Sequence, residues 1–235
     1  MTQIRFIAAV LLSVLAVPFA LASPAGAASR SYTVVSFDRI RVDGPYAVSV
    51  STNVSPFARA SGSPSGIDSV LLEVQGRTLI VRLARSGTGN NSAGPVTIAV
   101  GTPGLNSAAL NGSGSLDIDK VRGLSFDLSV QGAGSAKLRG VAVDRLTIGL
   151  VGAANVSVSG KALAMKAVVS GASSLDASGL AVRDGVIAAD GPAVVKAAIS
   201  GTAKINSAGV AAVVLSGRPA CTLKAVGSST VGGCR

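Results

Sequence analysis

The sequence predicts an all-β, single-domain parallel β-helix, a solenoid whose chain winds in coils of about 20 residues. Three observations predict this fold: glycines recur at nearly constant spacing, apolar residues alternate on either side of them, and aromatic side chains are scarce. One such coil cannot bury its own apolar stripe, so neighbouring coils must stack to form a core.

The glycine repeat occupies the second half of the chain, at intervals of 18 to 20 residues. Its members are Gly112, Gly132, Gly152, Gly171, Gly191, Gly209 and Gly227. Glycine tolerates positive φ and lets neighbouring backbones approach closely, so we expect each member to form a corner between two strands. Stacked at about 4.8 Å per coil, the repeat predicts a rod about 29 Å long.

Apolar side chains flank each glycine with the period-2 spacing of a β-strand. Four and six positions after the glycines lie Leu116/Ile118, Ala136/Leu138, Val156/Val158, Leu175/Ala177, Val195/Ala197 and Val213/Leu215. Two and four positions before them lie Val130/Leu128, Leu150/Ile148, Val169/Ala167, Ala189/Ile187, Ser207/Ile205 and Ala225/Leu223. We therefore expect two short strands per repeat, with these pairs facing one interior.

Residues 28–235 are predicted to form the β-helix domain, with 107–235 as its regular coils. The segment 28–106 lacks the glycine repeat, and we expect it to form irregular opening coils and a cap. Its alternating segments predict strands at 32–42, 47–51, 69–74, 78–83 and 96–100. Two loops rich in Gly and Ser, at 61–66 and 86–94, interrupt these strands.

Residues 1–27 have the composition of a secretory signal peptide. Arg5 is their only charge, and an apolar run at 7–17 precedes cleavage patterns that end at Ala22 and Ala27. We therefore expect an exported protein, located in the periplasm, at the cell surface or outside the cell. The apolar run is short for a membrane span of about 20 residues, and no later stretch predicts a transmembrane helix.

The chain is basic, with 21 Lys and Arg against 11 Asp and Glu, and a formal net charge of +10 at pH 7. Loss of 1–27 removes Arg5 alone and leaves +9. Such a charge suits acidic polysaccharide, anionic lipid or nucleic acid. The cations are spread along the chain, which favours general solubility, and the shortage of aromatic side chains argues against base stacking on nucleic acid.

Cys221 and Cys234 are the two cysteines of the chain. An oxidising compartment favours their pairing, so we predict a disulfide that fastens the C-terminal coil after export. The alternative is two unpaired thiols. Neither cysteine belongs to a Cys-x-x-Cys motif, so the predicted role is stability and not redox chemistry. Without His or further Cys, the sequence predicts no metal site of the zinc type.

Charged residues occupy corresponding outward positions in successive repeats. Alignment on the glycines predicts three opposed pairs in neighbouring coils: Asp117 with Lys137, Asp119 with Arg139, and Asp176 with Lys196. Opposite charges on adjacent strands favour one register by roughly 0.2–1 kcal/mol each when exposed. A second interpretation is a surface strip that binds a ligand, formed by Asp117, Asp119, Lys137 and Arg139.

No catalytic residue and no cofactor is predicted. The absence of His removes the usual base of a Ser or Cys nucleophile. Asp117 and Asp119 lie about 6–7 Å apart along a strand. That separation is compatible with glycoside hydrolysis, but each carboxylate has a predicted basic neighbour. A calcium site there would need more oxygen ligands than the sequence clusters at this place. A polysaccharide lyase or hydrolase is therefore the minority interpretation.

Several segments together resemble the head GIN domain family, an adhesin-like family of the bacterial cell envelope. They are the paired segments at 37–44 and 47–50, the hairpin at 72–81, the Ser-Gly corner at 110–115 with its later copies, and the closing element at 214–219. The resemblance covers roughly residues 34–231. It implies a β-helix of the cell envelope for which no catalytic residues are established.

The sequence thus predicts a secreted, periplasmic or cell-surface module with a structural or interaction role, adhesin-like and without identifiable catalysis. The alternative is a polysaccharide-binding or polysaccharide-degrading β-helix protein. The expected partner is a cell-surface polysaccharide or another envelope protein, and nucleic acid is not expected. The oligomeric state is not predicted.

Overall fold

The computed structural model describes residues 28–84 and 94–235. The predicted signal peptide and nearly all of the predicted loop at 86–94 lie outside the described residues. The strands and the helix are β1 Ala28–Tyr32, β2 Arg39–Asp43, β3 Ala47–Thr52, β4 Phe57–Gly62, α1 Pro64–Asp68, β5 Val70–Gln75, β6 Thr78–Leu83, β7 Val96–Thr102, β8 Ser107–Gly112, β9 Ser115–Ile118, β10 Val121–Gly132, β11 Ser135–Gly152, β12 Asn155–Gly171, β13 Ser174–Asp190, β14 Val194–Ser207, β15 Ala212–Ser216, β16 Ala220–Ala225 and β17 Thr230–Gly232. Within these ranges no helix has the length and apolar character needed to cross a membrane.

The regular coils stack through parallel ladders, and the predicted all-β parallel β-helix is confirmed. β10, β11, β12, β13 and β14 pair in chain order, and β14 then pairs with both β15 and β16. The register places Gly132 opposite Gly152, and Gly152 opposite Gly171. All seven repeat glycines have positive φ. The glycine repeat therefore marks one corner column of the solenoid.

Each regular coil has three straight segments, whereas the sequence predicted two. In β11, buried and outward residues alternate except at 139–140 and 144–145, where two exposed residues in succession mark corners. We call the surface over 135–138 and its equivalents the first face, that over 141–143 the narrow face, and that over 145–152 the long face. Register shifts occur between Leu138 and Val141 and at the equivalent places of β12 and β13. Across these shifts, residues at equal distances from their repeat glycines are no longer register partners. An alignment on the glycines therefore does not reveal the third segment.

The opening segment builds one end of the solenoid in an order that differs from the chain order. β2 lies between β6 and β8, and β3 lies between β7 and β9. The coil formed first in the chain is thus enclosed by two later ones. Antiparallel strands extend this end: β4 pairs with β7 and β1, and β5 pairs with β6.

Two expectations for the opening segment are wrong. The strand predicted at 32–42 is interrupted, because β1 ends at Tyr32 and β2 begins at Arg39. The loop predicted at 61–66 is instead the end of β4 and the start of α1. Ser63 caps this short helix, since its side chain accepts a hydrogen bond from the backbone N–H of Gly66. Pro64 suits the first helical turn, where a missing N–H costs nothing.

The core is a continuous stack of mainly aliphatic side chains, to which Phe126 and Met165 also belong. All twelve residues predicted to follow the glycines are buried, and so are those preceding the glycines as far as Ser207. The exceptions are Leu223, which is 50% exposed, and Ala225, which is also exposed. They belong to β16, which among the described residues pairs on one side only, with β14.

The predicted disulfide between Cys221 and Cys234 is confirmed, with 5.7 Å between the two Cα atoms. It joins β16 to the residues that follow β17. The backbone N–H of Arg235 also donates to the carbonyl of Pro219 at 3.3 Å. The last coil is therefore closed on itself by one covalent bond and one hydrogen bond.

The substitution Leu138→Asp should strongly destabilise the fold. Leu138 is 1% exposed and belongs to the inward column of β11. An unpaired carboxylate there should lower the free energy of unfolding by more than about 3 kcal/mol. The matched control is Val151→Asp on the same strand, because Val151 is 54% exposed. Urea unfolding checks the difference, and equal losses in the two variants would reject the assigned inward column.

The substitution Gly152→Ala should disrupt the corner column. Gly152 has φ +111°, and an added Cβ would lie 2.6 Å from the carbonyl oxygen of Gly132. Backbone strain alone is worth about 1–3 kcal/mol, before the contact is relieved. Gly104→Ala is the control, since a Cβ at Gly104 meets no atom within 4 Å. Thermal unfolding of both variants checks this, and a melting temperature equal to that of Gly104→Ala would contradict it.

Candidate binding surface

Asp117, on the first face, is the centre of the predicted charge strip. It is the register partner of Lys137 across β9 and β11, as the alignment predicted. Arg139 Nη2 donates a hydrogen bond to Asp117 Oδ1 at 2.5 Å. Both of these side chains are substantially exposed, so the ion pair contributes about 0–1 kcal/mol.

Asp119 and Arg139 hold corresponding positions in neighbouring coils, as predicted, since Ile118 is opposite Leu138 and Val121 is opposite Val141. The ion pair of Arg139, however, is with Asp117. Asp119 Oδ1 accepts hydrogen bonds from Thr52 N at 3.0 Å and Thr52 Oγ1 at 3.2 Å, and from Lys120 N at 2.6 Å. Thr52 ends β3, which the stacking order places beside β9. β9 has a neighbouring coil on each side. The predicted pair involved β11 on one side, whereas Thr52 belongs to β3 on the other side.

The third predicted pair, Asp176 and Lys196, is in register across β13 and β14. Asp176 Oδ1 also accepts hydrogen bonds from Ser178 Oγ at 2.6 Å and Ser178 N at 3.1 Å. The hydroxyl of Ser178 first, and then its backbone N–H, lower the pKa of the Asp176 carboxyl below its ordinary value, and Lys196 adds a smaller effect. Hydrogen bonds within its own strand therefore stabilise the ionised form of this carboxylate more than Lys196 does.

The long face carries two neighbouring open grooves. The first has a volume of about 540 Å³ and is lined by residues from five strands, β11 to β14 and β16. Its outward residues include the cations Arg145, Lys166 and Lys204, all exposed, beside the small residue Ala164. The second groove, of about 440 Å³, includes Lys224. A ligand that follows these grooves would cross the strands and run along the solenoid axis.

The ladder register explains how the cations of the first groove come together. Lys166 is opposite Val186, and Val186 is opposite Lys204. The two lysines therefore share one outward column, two coils or about 9–10 Å apart. Arg145 lies in the adjacent outward column, opposite Ala164. Among the ion pairs of the described residues, none involves these three cations.

Asp184 is an acid that lines the first groove. Its Oδ1 accepts hydrogen bonds from Thr202 Oγ1 at 2.6 Å and Thr202 N at 3.2 Å, and Arg183 Nε lies 3.2 Å from its Oδ2. The hydroxyl of Thr202 is the main cause that lowers the pKa of Asp184, and Arg183 contributes less. This carboxylate has its own partners within the protein, which leaves the cations of the groove to face solvent.

Sequence reasoning missed these cations because they are far apart in the chain and appeared evenly spread. A signal was nevertheless present in the glycine alignment, since Lys166 and Lys204 both precede their repeat glycine by five residues. That position is outward, between the inward positions four and six before the glycine. The predicted charge pairs, by contrast, all lie five or seven positions after a repeat glycine.

Residues 36–219 match the family model described as "Putative auto-transporter adhesin, head GIN domain". The chain belongs to this family. The resemblance of its sequence segments to the head GIN domain is thereby confirmed. No curated protein matches the chain significantly.

Three solved structures share the fold of this head GIN domain at low sequence identity. A putative adhesin from Bacteroides fragilis has a TM-score of 0.77 and 16% identity, over 88% of this chain and 97% of that chain. A putative adhesin from Parabacteroides merdae has a TM-score of 0.73 and 16% identity, over 90% and 97%. A putative lipid binding protein from Parabacteroides distasonis has a TM-score of 0.72 and 17% identity, over 90% and 98%. These likenesses concern the fold alone.

The stabilising contribution of Asp184 should depend on pH. Because its pKa is lowered in the folded state, the ionised carboxylate stabilises the fold. This contribution is complete above the unfolded pKa of about 4 and is lost as the pH falls through the lower folded value. Asp184→Asn should therefore cost more stability at neutral pH than in acid.

Urea unfolding at neutral pH and below about pH 4 measures this difference. Asp144→Asn, which removes an exposed acid of β11, controls for the change in net charge. A cost of Asp184→Asn that is the same at both pH values would mean that Thr202 does not hold the ionised form.

Proposed function

We propose that this protein is an adhesin-like interaction module, exported from the cytoplasm, that binds an acidic cell-surface polysaccharide along its long face. One observation carries the proposal: Arg145, Lys166 and Lys204 lie around an open groove that crosses five coils. The cations face solvent, and the groove follows the direction in which the coils repeat.

The shape of this groove favours an extended polymer over a small molecule. Small ligands usually occupy concave sites that enclose most of their surface. This groove is instead open and elongated, so successive sugars of a polymer would contact successive coils. Thr147, Thr202 and Thr222 also line it and supply hydroxyl groups for sugar hydroxyls.

The charges of the groove favour an acidic polymer. Lys166 and Lys204 occur at a two-coil repeat in one column, which suits carboxylates that repeat along a polysaccharide. None of the described residues lining the groove is aromatic, so nucleic acid bases would lack a stacking partner. Carboxylates bound in such an exposed site are screened by salt, so the affinity should fall as ionic strength rises.

Two observations support a location outside the cytoplasm. The disulfide between Cys221 and Cys234 suits an oxidising compartment. The sequence of 1–27 predicts a signal for export. The family description, which is that of an adhesin, agrees with a role in contact at the cell surface.

Binding of the purified oxidised protein to polygalacturonate, with neutral dextran as the reference, tests this function by calorimetry. The double substitution Lys166→Glu and Lys204→Glu should weaken binding to polygalacturonate at least about tenfold, or ~1.4 kcal/mol. The control is Lys137→Glu with Lys196→Glu on the first face, which changes the net charge equally. The control should stay within about twofold of the original protein, since its sites are remote from the groove.

Equal weakening by the two double variants would show that net charge, and not the groove, determines binding. An absence of binding to polygalacturonate, or equal binding to dextran, would reject an acidic polysaccharide as the ligand. Release of new reducing ends from polygalacturonate, measured in the same samples, would replace the binding function with a degrading one.

A further inference from the structure

Two leucines protrude from the edge where the narrow face meets the long face. Leu124 is 73% exposed and Leu163 is 56% exposed. The residues on either side of Leu124 in the chain are register partners of the residues on either side of Asp144. Those residues are in turn register partners of the ones on either side of Leu163. The two leucines therefore lie in one column, two coils or about 9–10 Å apart.

A cation precedes each of these leucines by two residues. Arg122 precedes Leu124, and Lys161 precedes Leu163. Arg122 is opposite Ala142, which is opposite Lys161, so the two cations also share one outward column. Both are exposed. A unit of cation, spacer and leucine is thus repeated at the same register in alternate coils.

The residues beside Lys161 on the narrow face are small, so its side chain projects from this edge. Ala142 and Ala181 flank Lys161 on the narrow face. The charges nearby include Lys120, which immediately precedes β10, and Arg145 on the adjoining long face. Asp144 lies between the leucines, and Arg39 and Asp127 line a groove together with Leu124. Arg183, next to Leu163 in the column, is paired with Asp184. Cations therefore outnumber acids around two exposed apolar side chains.

We propose that this edge, formed by Arg122, Leu124, Lys161 and Leu163, docks onto the surface of an anionic lipid bilayer. Apolar side chains enter the interfacial region of a bilayer, and cations on the same surface are attracted to anionic headgroups. The repeated unit places one of each kind in alternate coils, in adjacent columns. The solenoid then approaches the bilayer along its length and not by one end.

Other occupants fit this edge less well. A stable protein interface buries about 800 Å² on each partner, more than two leucines and two cations on a narrow edge can supply. A polysaccharide would satisfy the cations but would leave both leucines in water. None of Arg122, Leu124, Lys161 and Leu163 lines the groove at Lys166 and Lys204, so this proposal does not depend on polysaccharide binding.

Co-sedimentation with lipid vesicles tests the docking. The oxidised protein should bind vesicles of phosphatidylcholine with phosphatidylglycerol and should bind phosphatidylcholine alone much less. Leu124→Ser with Leu163→Ser should weaken binding to the anionic vesicles about tenfold or more, as should Arg122→Glu with Lys161→Glu. Val151→Ser with Val214→Ser is the apolar control, because these side chains are 54% and 52% exposed on other faces. Lys137→Glu with Lys196→Glu is the charge control.

Tryptophan fluorescence provides a second test, which does not depend on a variant losing affinity for vesicles. The chain contains no Trp, so Leu163→Trp introduces a single fluorescent probe at the edge. Its emission should shift to the blue when anionic vesicles are added, because the indole leaves water. Val214→Trp, on the first face, should show no shift. An unshifted Leu163→Trp, or edge variants that bind as well as their controls, would overturn the proposal.

Discussion

Stacking of one glycine corner on the next is the constraint on which the rest of this structure depends. The backbone N–H of Ala133 donates to the carbonyl of Gly112 at 3.0 Å, and that of Ala153 donates to Gly132 at 2.8 Å. The corners approach so closely that a side chain at Gly152 would overlap the carbonyl of Gly132. Because side chains alternate along a strand, a slip of one residue would turn every core residue outward, so these corners set the register of the whole coil.

The same register determines what each face presents to solvent. Lys166 and Lys204 are 38 positions apart in the chain, yet stacking places them in one column. Leu124 and Leu163 are brought into a column in the same way. The long face and the edge beside the narrow face thus acquire different chemistry, cationic and open in one case, cationic and apolar in the other.

The two ends of the solenoid are finished by different means. At the end built by the opening segment, antiparallel pairing of β4 with β7 and of β5 with β6 departs from the parallel pattern of the regular coils. These antiparallel strands cover edges of β7 and β6 that would otherwise be exposed, and covering is a common protection for strand edges. At the other end, the disulfide of Cys221 constrains a coil whose Leu223 is half exposed, where packing alone buries less.

The solenoid, its glycine corners and its inward columns could be predicted from the sequence, because they depend on spacings within one coil. The disulfide could be predicted because the chain has two cysteines, and the pairs Asp117–Lys137 and Asp176–Lys196 follow from the alignment on the glycines. The third face is evident in the fold alone, because coil lengths change at the register shifts after Leu138. The contact of Asp119 with Thr52 is likewise visible in the fold alone, since β3 is inserted beside β9 out of chain order. The groups formed by the groove cations and by the exposed leucines could not be predicted from the sequence either. A surface column joins residues that are distant in the chain and become neighbours only when the coils stack.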